Sequence, residues 1–449
     1  MLMRFIKSHG QHGAVTFGLA LLAAGLIEIY RIVARLEDLD ASMPEFIGLL
    51  LLAGIFYVIG VFLVERFRLG LAALLIILVS SVAFRAVLLP SKTTPSDDVY
   101  RYQWDGRVER AGLNPYLVRP DDEDLEWLQN PAHPEPPGEE IPTTYPPLAE
   151  LVYRQIETVP GYKRVSTLLD LAGVGVLLLL LRAVKQPLHR VLTYAWNPAV
   201  LVSFAMSGHF DSLAIVTLLA AFYFLLKNRA APAMAALALS FLAKFFPVLL
   251  LVTFLKRVRP VYGGLFAFVV AAFYAPFLGA GVHLLDGARS YARDWLNNPS
   301  LFRVLLYLTR SKIGAELLAG AILVSVMVYL AKKQAPPLWA GLVVTAGVLL
   351  LSPTAYPWYF TWGIAFLCFY PSRAWLLMSV TSILAYTPAI SEAAGERPYR
   401  ALLMPSLEYG PVYLWLACCC WVLVRKNLPL VSQKPELLGG DAPTAIRPT

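Results

Sequence analysis

The 449-residue chain is 58% hydrophobic and 15% charged, with a mean hydropathy of +0.60, whereas a soluble domain is roughly 45–50% apolar and about 25% charged; the composition excludes a soluble protein in favour of a polytopic membrane one. A net charge of +8 would suggest a nucleic-acid partner in a soluble protein, but the cations sit in short clusters between apolar runs, the positive-inside pattern, and the chain has no nucleic-acid signature. Cys368, Cys418, Cys419 and Cys420 all lie in apolar runs, which excludes a disulfide framework or a thiolate metal site.

The basic N-terminus and long apolar run up to residue 35 read as a retained first span, since no cleavage site follows. Further spans are expected at 44–64, 70–89, 165–182, 191–206, 211–227, 231–243, 245–255, 261–278, 313–331, 337–352, 356–370, 373–388 and 408–424. Several are too short to cross ~30 Å of hydrocarbon upright. Segments 231–243 and 245–255 form either one long helix or a hairpin dipping into the membrane. With Arg4 and Lys7 cytoplasmic, the hairpin keeps Lys256, Arg257 and Arg259 inside with the other clusters, and it is the favoured reading. The fold expected is an all-α polytopic bundle of about 13–14 membrane helices, some short or re-entrant, forming one domain over residues 1–424. Residues 425–449 are polar and Pro-rich, and are expected to be a disordered cytoplasmic tail.

This topology puts loops 90–164, 279–312 and 389–407 on the outer side. The longest begins with "SDDVYRYQWDGRVERAGLNPY". Residues 97–111 read as a helix with Ser96 as N-cap and Gly112 as C-cap. Helical spacing groups Asp98, Arg101, Tyr102 and Asp105 on one face, turned toward the protein. Tyr100, Trp104, Arg107 and Val108 form another, placed on the bilayer surface with its rings at headgroup level. The carboxylates could be capping groups on a solvated face. As a group at the membrane boundary they suit a base, because low-dielectric surroundings raise proton affinity. Near the end of this loop, "TTYPPLAELVYRQI" reads as an interfacial helix and contributes Tyr145.

Other polar residues map to the same side. "SGHFDS" puts His209 and Asp211 in a tight turn, and "AKFFP" puts Lys244 at the hairpin tip, partly buried. The 279–312 loop supplies Arg289, Arg293 and Arg303, and "AYPWYFTWG" supplies Tyr356, Trp358 and Tyr359. Taken singly, the lysine could snorkel and the rings could form an interfacial belt. Together, cations beside an acidic base suit a substrate with a phosphate leaving group at the membrane surface.

These motifs, in this order over roughly residues 70–370, resemble the bacterial GT-C-fold glycosyltransferases, family 87 and the related alpha-mannosyltransferases. The resemblance implies an inner (plasma) membrane enzyme for cell envelope biosynthesis. It moves a hexosyl, typically mannosyl, unit from a polyprenyl-phosphate-linked sugar to a lipid or glycan acceptor, on the extracytoplasmic face and with inversion. It implies that Asp98 is the general base, with Asp97 second. It maps the family's GHxD turn onto His209 and Asp211. Some relatives carry His where Tyr356 precedes the "PWY" triplet, which moves the donor-phosphate role toward Lys244, His209 or Arg303. Arg101, Tyr102, Asp105, Arg107, Asn114, Tyr145, Tyr356 and Trp358 complete the expected substrate-binding set. No cofactor is required; a divalent cation at Asp97 and Asp98 is optional, and no complete metal-ligand set is visible. The alternatives are a transporter or lipid-linked-sugar flippase, disfavoured because its charges belong near the midplane, and a non-catalytic assembly partner, disfavoured by the intact aspartate pair.

Overall fold

The computed structural model describes residues 2–92, 95–131, 135–386 and 400–425. Three long helices open the chain: α1 (Leu2–Ala34), α2 (Leu39–Arg66) and α3 (Leu71–Leu88). Asp38 starts α2 by accepting the Ala41 N–H at 3.0 Å, which satisfies an orphan donor of the first turn. α1 packs along both of its successors.

The chain then forms α4 (Asp98–Arg110), a 3-10 turn at Glu123–Leu128, α5 (Pro147–Tyr153) and α6 (Val159–Ala183). α6 starts before the expected residue 165. Its first turns carry Lys163, Ser166 and Thr167, which hide the helix from hydropathy, and Thr158 caps it by accepting the Gly161 N–H.

The stretch expected as spans 191–206 and 211–227 is a broken unit. Asn197 accepts the Ala199 N–H at 3.0 Å and Pro198 occupies the first turn, so a helix restarts there. It widens into a π turn at Val202–Met206. Gly208 takes φ +73, a left-handed conformation that a Cβ would strain. α7 (Asp211–Leu226) then leaves at 120° to the preceding segment.

α8 (Ala230–Ala243) ends where Lys244 becomes extended, with φ −157 and ψ 141. A 3-10 turn over Phe246–Leu250 follows, then a short helix at Leu251–Leu255. Pro247 explains the break: in a continuous helix its ring would strike the carbonyl of residue 243. One long helix over 231–255 is thereby excluded.

α9 (Val261–Tyr274) continues as 3-10 turns to Leu285, and two short helices follow at Asp286–Asp294 and Leu301–Thr309. α10 (Lys312–Lys332) and α11 (Pro337–Leu351) come next. Short pieces at Pro357–Phe360, Thr361–Leu367 and Arg373–Thr381 lead to α12 (Arg400–Arg425).

The molecule is all-α and polytopic. Among the described residues the β pairing is a single isolated bridge, Asn297 to Thr354. Among the described residues six helices are long and apolar enough to cross a membrane, or seven if the bent pair counts as one span. The expected 13–14 membrane helices therefore resolve into fewer full spans and several short ones: at ~1.5 Å per residue, the 14 residues of α8 reach only ~21 Å. Of the expected outer loop 389–407, residues 400–407 belong to α12; residues 387–399 and the proposed tail beyond Arg425 lie outside the described residues.

The largest buried apolar cluster runs from Leu19 to Val412. Inside it, Arg85 of α3 donates through Nε to Asp170 of α6 at 2.6 Å, and through Nη1 to the Ser81 and Ala195 carbonyls. Both side chains are 1% exposed or less, so the pair ties three elements together.

Candidate active site

α4 holds the first group. The helix begins at Asp98 with Asp97 in the cap position; Ser96, the expected N-cap, lies one residue further out, and its Oγ accepts the Asp98 N–H at 3.4 Å. Gly112, at φ +79, ends the helix region as expected. The face expected to lie on the bilayer is instead covered by protein. Trp104 and Val108 pack beneath Val118, Leu125 and Leu128, and Arg107 donates to the Leu128 carbonyl at 2.9 Å. A helical wheel gives the face but not what covers it.

Asp98 meets the Gly208 turn. The Tyr102 hydroxyl lies 3.2 Å from His209 Nδ1 and 3.5 Å from Asp98 Oδ2, and Nδ1 to Oδ2 is 3.5 Å. The His209 ring is 1% exposed and stacks on Trp358 at 4.1 Å, and Trp358 stacks on Tyr356 at 4.5 Å. Ser166 of α6 donates to the His209 carbonyl at 2.5 Å, which fixes the turn from below. The Asp98 side chain keeps 24% exposure, so it is walled by protein on most sides and open on one.

Next to it stands Lys244. Its Nζ is 3.2 Å from Asp211 Oδ1, which also accepts the Trp362 indole N–H at 2.6 Å. The ammonium lies over the rings of Tyr359 at 4.9 Å and of Tyr145 and Trp362 at 5.8 Å, an arrangement that stabilises a partly desolvated cation. Tyr291 closes this aromatic group through a 2.9 Å contact between its hydroxyl and that of Tyr359. The bridge at Asn297 anchors the segment ahead of Tyr356: the Ala355 N–H donates to the Asn297 carbonyl at 2.9 Å. Lys244 is 17% exposed, so it too opens to one side.

Asp98, Tyr102, Tyr145, His209, Asp211, Lys244, Tyr356 and Trp358 are thus brought together, with Asp97 exposed beside them. Arg101 and Asp105 pair with each other at 3.1 Å, and Arg101 also donates to the Gly138 and Ile141 carbonyls; they hold the loop. Asn114 builds its own turn, accepting the Tyr116 N–H at 3.1 Å and donating to the Phe277 carbonyl. Arg303 is exposed on its helix, and Arg289 and Arg293 pair at the surface with Asp286 and Asp294. Two members were not singled out from sequence for the site, Trp362 and Tyr291. The signal for Trp362 was its i, i+3 spacing from Tyr359 after Pro357, which stacks the two rings at 4.5 Å.

Burial pushes the Asp98 carboxyl up to about 6; Lys244 pulls it back, while Asp211 and Asp97 add repulsion. A carboxylate so placed is ionised at neutral pH yet basic enough to take a proton from a hydroxyl. Among the described residues no three His, Cys, Asp or Glu side chains converge to hold a metal ion.

Residues 8–258 match the family model described as alpha-(1->6)-mannopyranosyltransferase, N-terminal domain. The matched stretch contains Asp98, His209, Asp211 and Lys244, and stops short of the Tyr356 to Trp362 ring cluster. No curated protein matches the chain.

Proposed function

The chain belongs to the alpha-(1->6)-mannopyranosyltransferase family and is a membrane glycosyltransferase, and from that premise we propose that Asp98 is the general base of mannosyl transfer from a polyprenyl-phosphate-linked mannose. The acceptor is a hydroxyl of a lipid or glycan on the extracytoplasmic face, and the linkage follows the family's alpha-(1->6) description.

The step is a single displacement. Asp98 takes the proton of the acceptor hydroxyl. That oxygen attacks the anomeric carbon from the side opposite the phosphate, and the bond from that carbon to the phosphate oxygen breaks. The electron pair leaves with the lipid phosphate, whose charge Lys244 balances. A phosphate leaves without protonation, so no general acid is needed. His209 and Tyr102 hold the base by contact with its Oδ2, and the Trp358 and Tyr356 rings offer flat apolar faces of the kind sugars stack on. The attack inverts the anomeric configuration. No cofactor enters the step.

One observation carries this reading: a partly open carboxylate and a partly open cation, supplied by separate motifs, lie within electrostatic reach of each other. That is the pairing which base-assisted transfer from an anionic leaving group requires.

The test is a donor choice. Purified protein in vesicles is given either polyprenyl-phosphate mannose or a nucleotide-linked mannose, with an acceptor glycolipid. Turnover with the lipid donor alone, and an inverted anomeric centre by NMR, are expected. Use of the nucleotide donor, or retained configuration, overturns the reading. Sidedness is read separately by Asp97→Cys and an impermeant thiol reagent on intact cells; labelling only after lysis removes the extracytoplasmic assignment.

A further inference from the structure

Beneath the site lies a second carboxyl group that the reaction does not use. Glu150, on α5, is 0% exposed, and so is Asp105 on α4. Between them stands Thr143, itself 1% exposed. Its Oγ1 lies 2.6 Å from Glu150 Oε1 and 3.3 Å from Asp105 Oδ2, and it accepts the Tyr145 N–H at 3.2 Å.

The accounting of protons is decisive. A threonine hydroxyl has one hydrogen to give and two lone pairs to fill. With both carboxyls ionised, that hydrogen could serve only one of them, and the other would press a charged oxygen against lone pairs. A proton on Glu150 removes the conflict. Its O–H donates to Thr143, the Thr143 O–H donates to Asp105, and the Tyr145 N–H fills the second lone pair. Every site on the hydroxyl is then used.

The charges agree. Arg101 gives its Nε to Asp105 at 3.1 Å and spends Nη1 and Nη2 on the Gly138 and Ile141 carbonyls. Asp105 is therefore the ionised partner. Glu150 Oε2 is buried with no hydrogen-bond partner among the described residues, a cost much larger for a charged oxygen than for a neutral carbonyl. The groups facing Glu150 are Asp105, Glu109 and Arg101 on α4, Tyr116 in the loop and Tyr153 on its own helix. Burial first, and then the Asp105 charge, hold the Glu150 carboxyl well above the usual carboxylate range.

We infer that Glu150 is a positioning residue that keeps its proton at working pH and, through Thr143, fixes Tyr145 against Lys244 and Tyr102. The Tyr145 ring meets Tyr102 edge-on at 5.2 Å and lies 5.8 Å from Lys244 Nζ, while its carbonyl accepts the Tyr116 hydroxyl at 2.8 Å. Gly287 presses on this same segment: a Cβ there would come within 2.3 Å of the Thr143 carbonyl oxygen. The turn is therefore clamped on two sides, and the carboxylic acid supplies the hydrogen that aligns it. The catalytic consequence rests on Asp98 and Lys244 being the reacting pair; the protonation does not.

Three variants of the full chain separate the two. Glu150→Gln can still donate a hydrogen to Thr143, so activity stays within about twofold of wild type, because one donor has replaced another. Glu150→Leu and Thr143→Val break the chain and misplace Tyr145, lowering kcat on the order of 100-fold with a smaller change in KM. Infrared spectra of wild type show the C=O stretch of a buried carboxylic acid, which Glu150→Gln removes. A Glu150→Gln variant as impaired as Glu150→Leu, or a wild type lacking that band, overturns the inference. The band needs no substrate and still decides the matter if Glu150→Leu fails to fold, or if the transfer reaction is not the one proposed.

Discussion

Two carboxylates on neighbouring helices differ in what surrounds them, and the difference is the one expected between a structural group and the base proposed above. Asp170, in α6, is sealed from solvent and meets Arg85 at 2.6 Å. Asp98, at the start of α4, keeps 24% exposure, and its nearest polar partners, His209 and Tyr102, stand off at 3.5 Å. A tightly bonded, fully buried ion pair ties helices together and leaves neither partner open to a substrate. A carboxylate left with long contacts and one open side can take a proton and release it again.

The contrast is broken or sharpened most strongly by Asp98→Asn. Transfer should fall by about 10²–10⁴-fold, with the thermal melting of the detergent-solubilised protein unchanged. Wild-type turnover in that variant removes Asp98 from the mechanism. Asp170→Asn is the mirror experiment. It strands Arg85 and should lower stability by about 3–5 kcal/mol, seen as a lower melting temperature, while molecules that remain folded keep their specific activity. If both variants lose activity and stability together, the distinction drawn here fails. The gentlest test is the pH profile. As the proposed base, Asp98 would act only when ionised, and its carboxyl is raised to about 6, so kcat/KM should be flat above that pH and fall about tenfold per pH unit below it. A flat acid limb down to the ordinary carboxylate range would mean that the base is better solvated than its surroundings suggest.

The class of fold was legible because hydropathy alone separates membrane helices from loops. The number of spans was not. α8 and α11 are apolar yet sit largely inside the protein, and composition cannot tell a helix facing lipid from one facing its neighbours. The break behind Lys244 was legible from the charge pattern, and Pro247 supplies its physical cause. Of the residues the structure brings together, Asp98, His209, Asp211 and Lys244 could be named because each lies in a local motif at the edge of an apolar run. Thr143 and Glu150 could not, since their role depends on α5 approaching α4. Arg107 and Asn114 looked like ligand-binding groups because nothing in a helical or turn pattern reveals which backbone carbonyls a side chain will find. Arg85 and Asp170 sit in apolar stretches where nothing local names a partner for either; their meaning is the partner 85 positions away.

That partnership also has an order in time. Arg85 lies within a turn of the end of α3, and a long guanidinium side chain there can reach up to the lipid headgroups on its own. Asp170 sits well inside α6 and is too short to do so. The ribosome makes the arginine first. The counter-ion is therefore in the chain before the aspartate that needs it, so the side chain that can tolerate solitude is the one synthesised early.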